Sequence, residues 1–156
     1  MNTVKPKSGH QSLRKARVSL PNHVYLITTT TINREPFFND FHAACAAAKC
    51  FETPEILGDA KLLAWVLMLD HVHWLIQLGQ HDDLSIVVNR LKSFSARITN
   101  RVLNREGKLW AAAYYDHALR AEEDLKTVAR YIVANPLRAN LVKHIADYPF
   151  WNAVWL

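Results

Sequence analysis

A chain of 156 residues, half of them hydrophobic and 21% charged, has the balance of one globular domain with its own core, and intrinsic disorder is excluded. Two cysteines make no disulfide framework, no apolar run approaches the ~18 residues of a membrane span, and the polar N-terminus lacks the apolar stretch of a secretory signal. Secreted and membrane-spanning classes are therefore set aside, and the net charge of +5 points to an anionic partner.

That charge sits in residues 1–20, where Lys5, Lys7, Arg14, Lys15 and Arg17 meet no acid; the rest of the chain is balanced. A basic arm ahead of one domain over 21–156 suits nucleic acid, and a solubilising tail is the plainer reading. After Pro21, the β-branched run Val24–Ile32 predicts a strand. Alanine-rich Phe37–Phe51 predicts a helix capped by Asn39 or Asp40. Leu62–Leu69 and Val72–Leu78 predict a hairpin turning near Leu69–Asp70. From Leu84 to Val102, Val87, Leu91, Phe94, Ile98 and Val102 recur at helical spacing and predict a core-facing stripe. Arg90, Arg97, Arg101 and Arg105 run beside it, with Lys92 and Lys108 nearby. This edge can pair with phosphate or be a solvated helix face. Leu109–Leu119 predicts a fourth strand. Ala121–Ala134, with acids in its first turn, predicts a helix ended by Pro136. The aromatic tail is expected to pack back on the domain.

The first six elements follow the split βαβ order, so an α+β fold is expected: a ferredoxin-like (RRM-like) βαββαβ antiparallel sheet with helices on one face, plus a C-terminal helix bearing Tyr131. The second sheet face is left for a site. His71-Val72-His73 opens the second hairpin strand. Residues two apart on a strand share a face, so the imidazoles converge and make half a metal site, or a histidine pair on a solvated surface. On a helix through Ala134, Tyr131 and Asn135 are i and i+4 and project together. Each also has a plain reading, as a half-buried aromatic and as a cap before proline. From these residues alone a nuclease, a stacking RNA- or DNA-binding module using Tyr25 or Trp74, and a zinc hydrolase adding His117 all stand.

At these places the chain resembles the HUH single-tyrosine transposases, and more closely the REP-associated tyrosine transposases of bacteria. The matching stretches are Leu13–Pro21, Ala64–Leu75 with His71-Val-His73, Arg90–Arg97, Asp116–Arg120, Ala129–Arg138 with Arg130-Tyr-Ile-Val-Ala-Asn-Pro136, and Asp147-Tyr-Pro149. They span nearly the whole chain in the family's order. The resemblance implies His71, His73 and Asn135 as ligands of a divalent metal, Mg²⁺ or Mn²⁺, and Tyr131 as the nucleophile. It implies cleavage and rejoining of single-stranded or hairpin DNA through a covalent 5′-phosphotyrosine, in a bacterial cytoplasmic, nucleoid-associated protein. Arg14, Lys15, Arg17, Arg90, Lys92, Arg97 and Arg101 are the expected DNA contacts, and monomer and homodimer are both open. Two departures stand out: Leu69 replaces a usual proline, and Ala111–Ala113 replaces a usually polar, basic stretch.

Overall fold

In the computed structural model, which describes residues 19–120 and 123–155, the β-branched run becomes β1, Val24–Thr30. Arg14, Lys15 and Arg17 lie outside the described residues. Helix α1 is Phe41–Phe51, with Asp40 as its cap accepting from the Ala43 N–H at 2.9 Å. A single turn, α2 (Pro54–Leu57), precedes the hairpin β2 (Lys61–Leu67) and β3 (His71–Gln77). Then come α3 (Leu84–Leu103), β4 (Tyr115–Ala118), α4 (Leu125–Val133), the one-turn α5 (Asn135–Arg138) and β5 (Trp151–Ala153). All strand pairs are antiparallel, in the order β4-β1-β3-β2-β5. The tail does return to the domain, and it does so as a fifth strand on the β2 edge.

One sheet face carries the aromatic core. Trp65 and Trp74 are cross-strand partners, and Phe51 of α1 meets both edge-on at 5.4 and 5.3 Å. Trp110 lies 6.2 Å from Trp74, and Tyr25 and Ile27 are buried with them. Ala43, Ala44 and Ala47 are fully buried, and such small side chains let α3 approach α1 closely.

Three expectations change. The core line of α3 is Leu84, Val87, Val88, Leu91, Ser95 and Thr99, while Phe94, Ile98 and Val102 are 43%, 36% and 45% exposed. Small polar residues continue the line because the Ser95 hydroxyl bonds back to the Leu91 carbonyl and accepts from Trp110 Nε1 at 2.9 Å. The expected strand over 109–119 shrinks to four residues; ahead of it Trp110 makes one isolated bridge to Thr31. The loop between is held by Lys92, whose ammonium donates to the Ala111 carbonyl at 2.8 Å. The last helix stops at Val133, and Asn135–Arg138 is a separate turn after Ala134. Pro136 has no N–H to continue the ladder.

Tyr148 ties the tail to the sheet: its hydroxyl donates to the Leu67 carbonyl, and burial pushes the phenol up to about 12. The fold therefore binds the protonated phenol preferentially. Its contribution is complete below the ordinary value of 10.0 and is lost as pH rises toward about 12. Tyr148→Phe is expected to cost about 1–2 kcal/mol at pH 8 by orphaning that carbonyl, and to flatten the alkaline loss of stability in urea titrations at pH 8 and 11. Equal destabilisation at both pH values would sink the assignment.

Candidate active site

The alternation of β3 sends Val72, Trp74 and Ile76 into the aromatic core and His71, His73 and Leu75 to the opposite face. That face is apolar and buried at Ala64, Val66 and Leu75, and α4 packs across β2 with Ala129, Ile132 and Val133. At its open end the two imidazoles stand edge to face, with centroids 5.0 Å apart. Each Nδ1 is engaged: His71 with Asp70 Oδ1 and His73 with Thr28 Oγ1, both at 2.8 Å. Among the described residues neither Nε2 has a hydrogen-bond partner. If each Nδ1 carries the proton and donates, both Nε2 lone pairs are left as donors for a metal. Burial first, then the neighbouring charges of His71 and Arg138, lowers His73 to about 4, so its ring is neutral at pH 7.

Behind His71 the chain is held in place. Arg34 Nε lies 3.0 Å from Asp70 Oδ2, completing a chain from guanidinium to carboxylate to imidazole. To reach it, Asn33 and Arg34 adopt left-handed φ values of 53° and 56°. Asn tolerates that conformation, so the cost of about 1–2 kcal/mol falls on Arg34.

Helix α4 starts at Asp124, whose carboxylate accepts from Thr127 Oγ1 and the Lys126 N–H; those bonds, the Thr127 one first, hold it below the usual carboxylate range. Tyr131 projects from the helix, 64% exposed, with the Arg138 guanidinium 3.9 Å over its ring centroid. Asn135 is the first residue of α5 and not a continuation of α4, so the i and i+4 argument does not carry it. Its Nδ2 donates to the Ile132 carbonyl at 2.7 Å, which fixes the amide, and among the described residues Oδ1 has no hydrogen-bond partner. The amide oxygen is thus usable as a ligand.

The other tyrosines divide cleanly. Tyr25, Tyr114 and Tyr148 are buried, and Tyr115 is 60% exposed on β4, opposite Thr28. The stacking-module reading loses its aromatics, since Tyr25 and Trp74 are 2% and 0% exposed. His117 lies in register with Leu26, one pleat along from Thr28, and bonds Glu123 Oε1 at 3.3 Å. Among the described residues no three His, Cys, Asp or Glu side chains group to hold a metal. Of the expected DNA contacts, Arg90 pairs with Asp82 at 2.7 Å and Lys92 holds the Ala111 loop. Arg97 lies over the Phe94 ring at 5.1 Å, and Arg101 is exposed. Sequence reasoning missed Thr28, Asp70, Arg34 and Arg138. Asp70 directly precedes the histidine pair and offered a signal; Thr28 becomes visible only through strand register. No helix among the described residues is long and apolar enough to cross a membrane.

The family model described as IS200-like transposase matches residues 19–135, which takes in the histidine pair, Tyr131 and Asn135. A REP-associated tyrosine transposase of Escherichia coli is 29% identical over 92 residues. A Haemophilus influenzae protein that carries the same name provisionally is 30% identical over 100 residues. The matches take in 58% of this chain and 52% and 57% of those proteins, so the chain spans a little over half the length of the curated relatives it matches. The solved structure of a REP-associated tyrosine transposase bound to a REP hairpin superposes with a TM-score of 0.67 at 21% identity, over 86% of this chain and 79% of that one; it shares the fold. On the family match, the chain belongs to the IS200-like transposases.

Proposed function

We propose that the chain is a metal-dependent endonuclease and strand transferase for single-stranded, hairpin-forming DNA of the REP type, working through a covalent 5′-phosphotyrosine on Tyr131. The observation that carries this reading is the pair His71 and His73, each fixed through Nδ1 with Nε2 unpartnered among the described residues, on the sheet face that α4 crosses with its exposed Tyr131. The split βαβ order of the first six elements, read as ferredoxin-like, supports it. So does the family, and so does the hairpin bound by the relative of the same fold.

His71, His73 and the Asn135 amide oxygen would hold the ion, a mixed nitrogen and oxygen set that suits Mn²⁺ or Mg²⁺. When bound, the ion supplies charge to polarise the scissile phosphate. The chain does the rest. Asp70 and Thr28 hold the imidazoles in the donor tautomer, and α4 mounts the phenol on a rigid element so that its oxygen meets phosphorus in line. The phosphate-ester bond energy is retained in the tyrosine link, so rejoining needs no nucleotide cofactor. Arg97 and Arg101, and Arg14, Lys15 and Arg17 ahead of them, supply phosphate contacts that position the strand.

The test is incubation with 5′- and 3′-labelled hairpin oligonucleotides and Mn²⁺. A protein–DNA adduct that survives SDS, carrying the 5′ end of the downstream fragment and releasing a free 3′-hydroxyl, is expected. Hairpin binding without any adduct would leave a DNA-binding protein and overturn the nuclease reading.

A further inference from the structure

Arg138 has two properties that packing alone leaves unexplained. Its guanidinium covers the face of the exposed Tyr131 ring at 3.9 Å. And it is solvent-exposed, with no carboxylate within ion-pair distance among the described residues. An arginine that holds its place by stacking keeps its N–H fork for a further partner, and a planar fork matches two oxygens of one phosphate.

We propose that Arg138 is a phosphate-binding residue of the cleavage reaction, neutralising the non-bridging oxygens of the scissile phosphate beside Tyr131 and those of the phosphotyrosine that replaces it. This rests on the nuclease reading above. The Tyr131 oxygen forms its bond to phosphorus as the P–O3′ bond breaks; O3′ leaves with the bonding pair and gains a proton, and the phenol proton passes to water. Attack by a 3′-hydroxyl reverses both changes. Throughout, the phosphate keeps a negative charge that crowds with the incoming oxygen, and a cation fixed against the phenol ring offsets it at both stages. The contact joins a residue of α4 to one of α5, seven positions on, across the junction at Ala134.

The test uses single-turnover adduct formation on two hairpins, one with an ordinary scissile phosphodiester and one with a methylphosphonate there, which removes the charge. On the phosphodiester, Arg138→Ala is expected to slow adduct formation about 100-fold with hairpin affinity within about twofold of wild type. On the methylphosphonate, wild type and Arg138→Ala should react at the same rate. Equal slowing on both linkages, or no slowing on the first, overturns the assignment and leaves Arg138 as packing. Should neither protein cut the neutral linkage, Arg138→Lys and Arg138→Gln decide it. Lysine recovering tenfold or more over glutamine supports a charge role, and equality overturns it. Wild type that forms no adduct on the phosphodiester fails at the earlier step and overturns the nuclease reading, taking this assignment with it.

Discussion

Tyr131→Phe is expected to remove the covalent adduct and strand cleavage together, with the fold and hairpin affinity retained. The side chain is 64% exposed, and its ring contact with Arg138 uses the face that phenylalanine preserves. Exposed substitutions of this kind change stability by about 0.5 kcal/mol or less. On the proposed mechanism the lost oxygen is the group that bonds to phosphorus, so no residual rate through Tyr131 is expected, and the effect is set by the detection limit of the gel. Three rival tyrosines are buried, and Tyr148 is further disqualified because its hydroxyl is committed to the Leu67 carbonyl. Tyr115 is the alternative that exposure permits; it projects from the four-residue β4, opposite Thr28 and two positions from His117, and not from a helix. A Tyr131→Phe protein that still forms the adduct would move the nucleophile to Tyr115, testable by the matching substitution.

Most of this site was legible in the sequence wherever a period-2 pattern decided it. His71 and His73 share a face because strand geometry allows nothing else, and Trp74, between His73 and Leu75, is forced into the core. The basic helix was legible as a helix but not in its rotation. Phe94, Ile98 and Val102 match a 3.6-residue stripe as well as the true line does. The true line runs through Ser95 and Thr99; at Ser95 the polarity is hidden by back-bonding and by Trp110, and hydropathy has no term for that. Asn135 shows the same limit from the other side. Its projection beside Tyr131 assumes a helix that runs on through Asn135, whereas α4 ends at Val133 and the Asn135 amide is instead fixed through the Ile132 carbonyl. Thr28 and Arg34 were invisible because each acts across a long sequence gap, on His73 through strand register and on Asp70 through a left-handed turn.

His73→Ala is expected to abolish cleavage, by about a thousandfold or more, while hairpin affinity falls by no more than about threefold. On the proposed reading, several kcal/mol of charge stabilisation would depend on the ion, and each ~1.4 kcal/mol is tenfold in rate. Affinity would come instead from phosphate contacts spread along the exposed arginines. Removing the ion with EDTA should reproduce the His73→Ala phenotype in the wild type, and cleavage that persists in EDTA would refute the ligand assignment. The histidine supports sharpen the test. Thr28→Val and Asp70→Asn leave both imidazoles in place but remove, respectively, the hydroxyl partner of His73 Nδ1 and the carboxylate charge beside His71 Nδ1. Each should raise the Mn²⁺ concentration for half-maximal cleavage by about 10–100-fold, with the rate at saturating Mn²⁺ largely recovered. His73→Ala should show no such recovery at any Mn²⁺ concentration, because a ligand is missing and not merely misoriented. If Thr28→Val instead lowers the saturated rate and leaves the Mn²⁺ requirement unchanged, then Thr28 acts on substrate, and the His73 Nδ1 contact is incidental to ion binding.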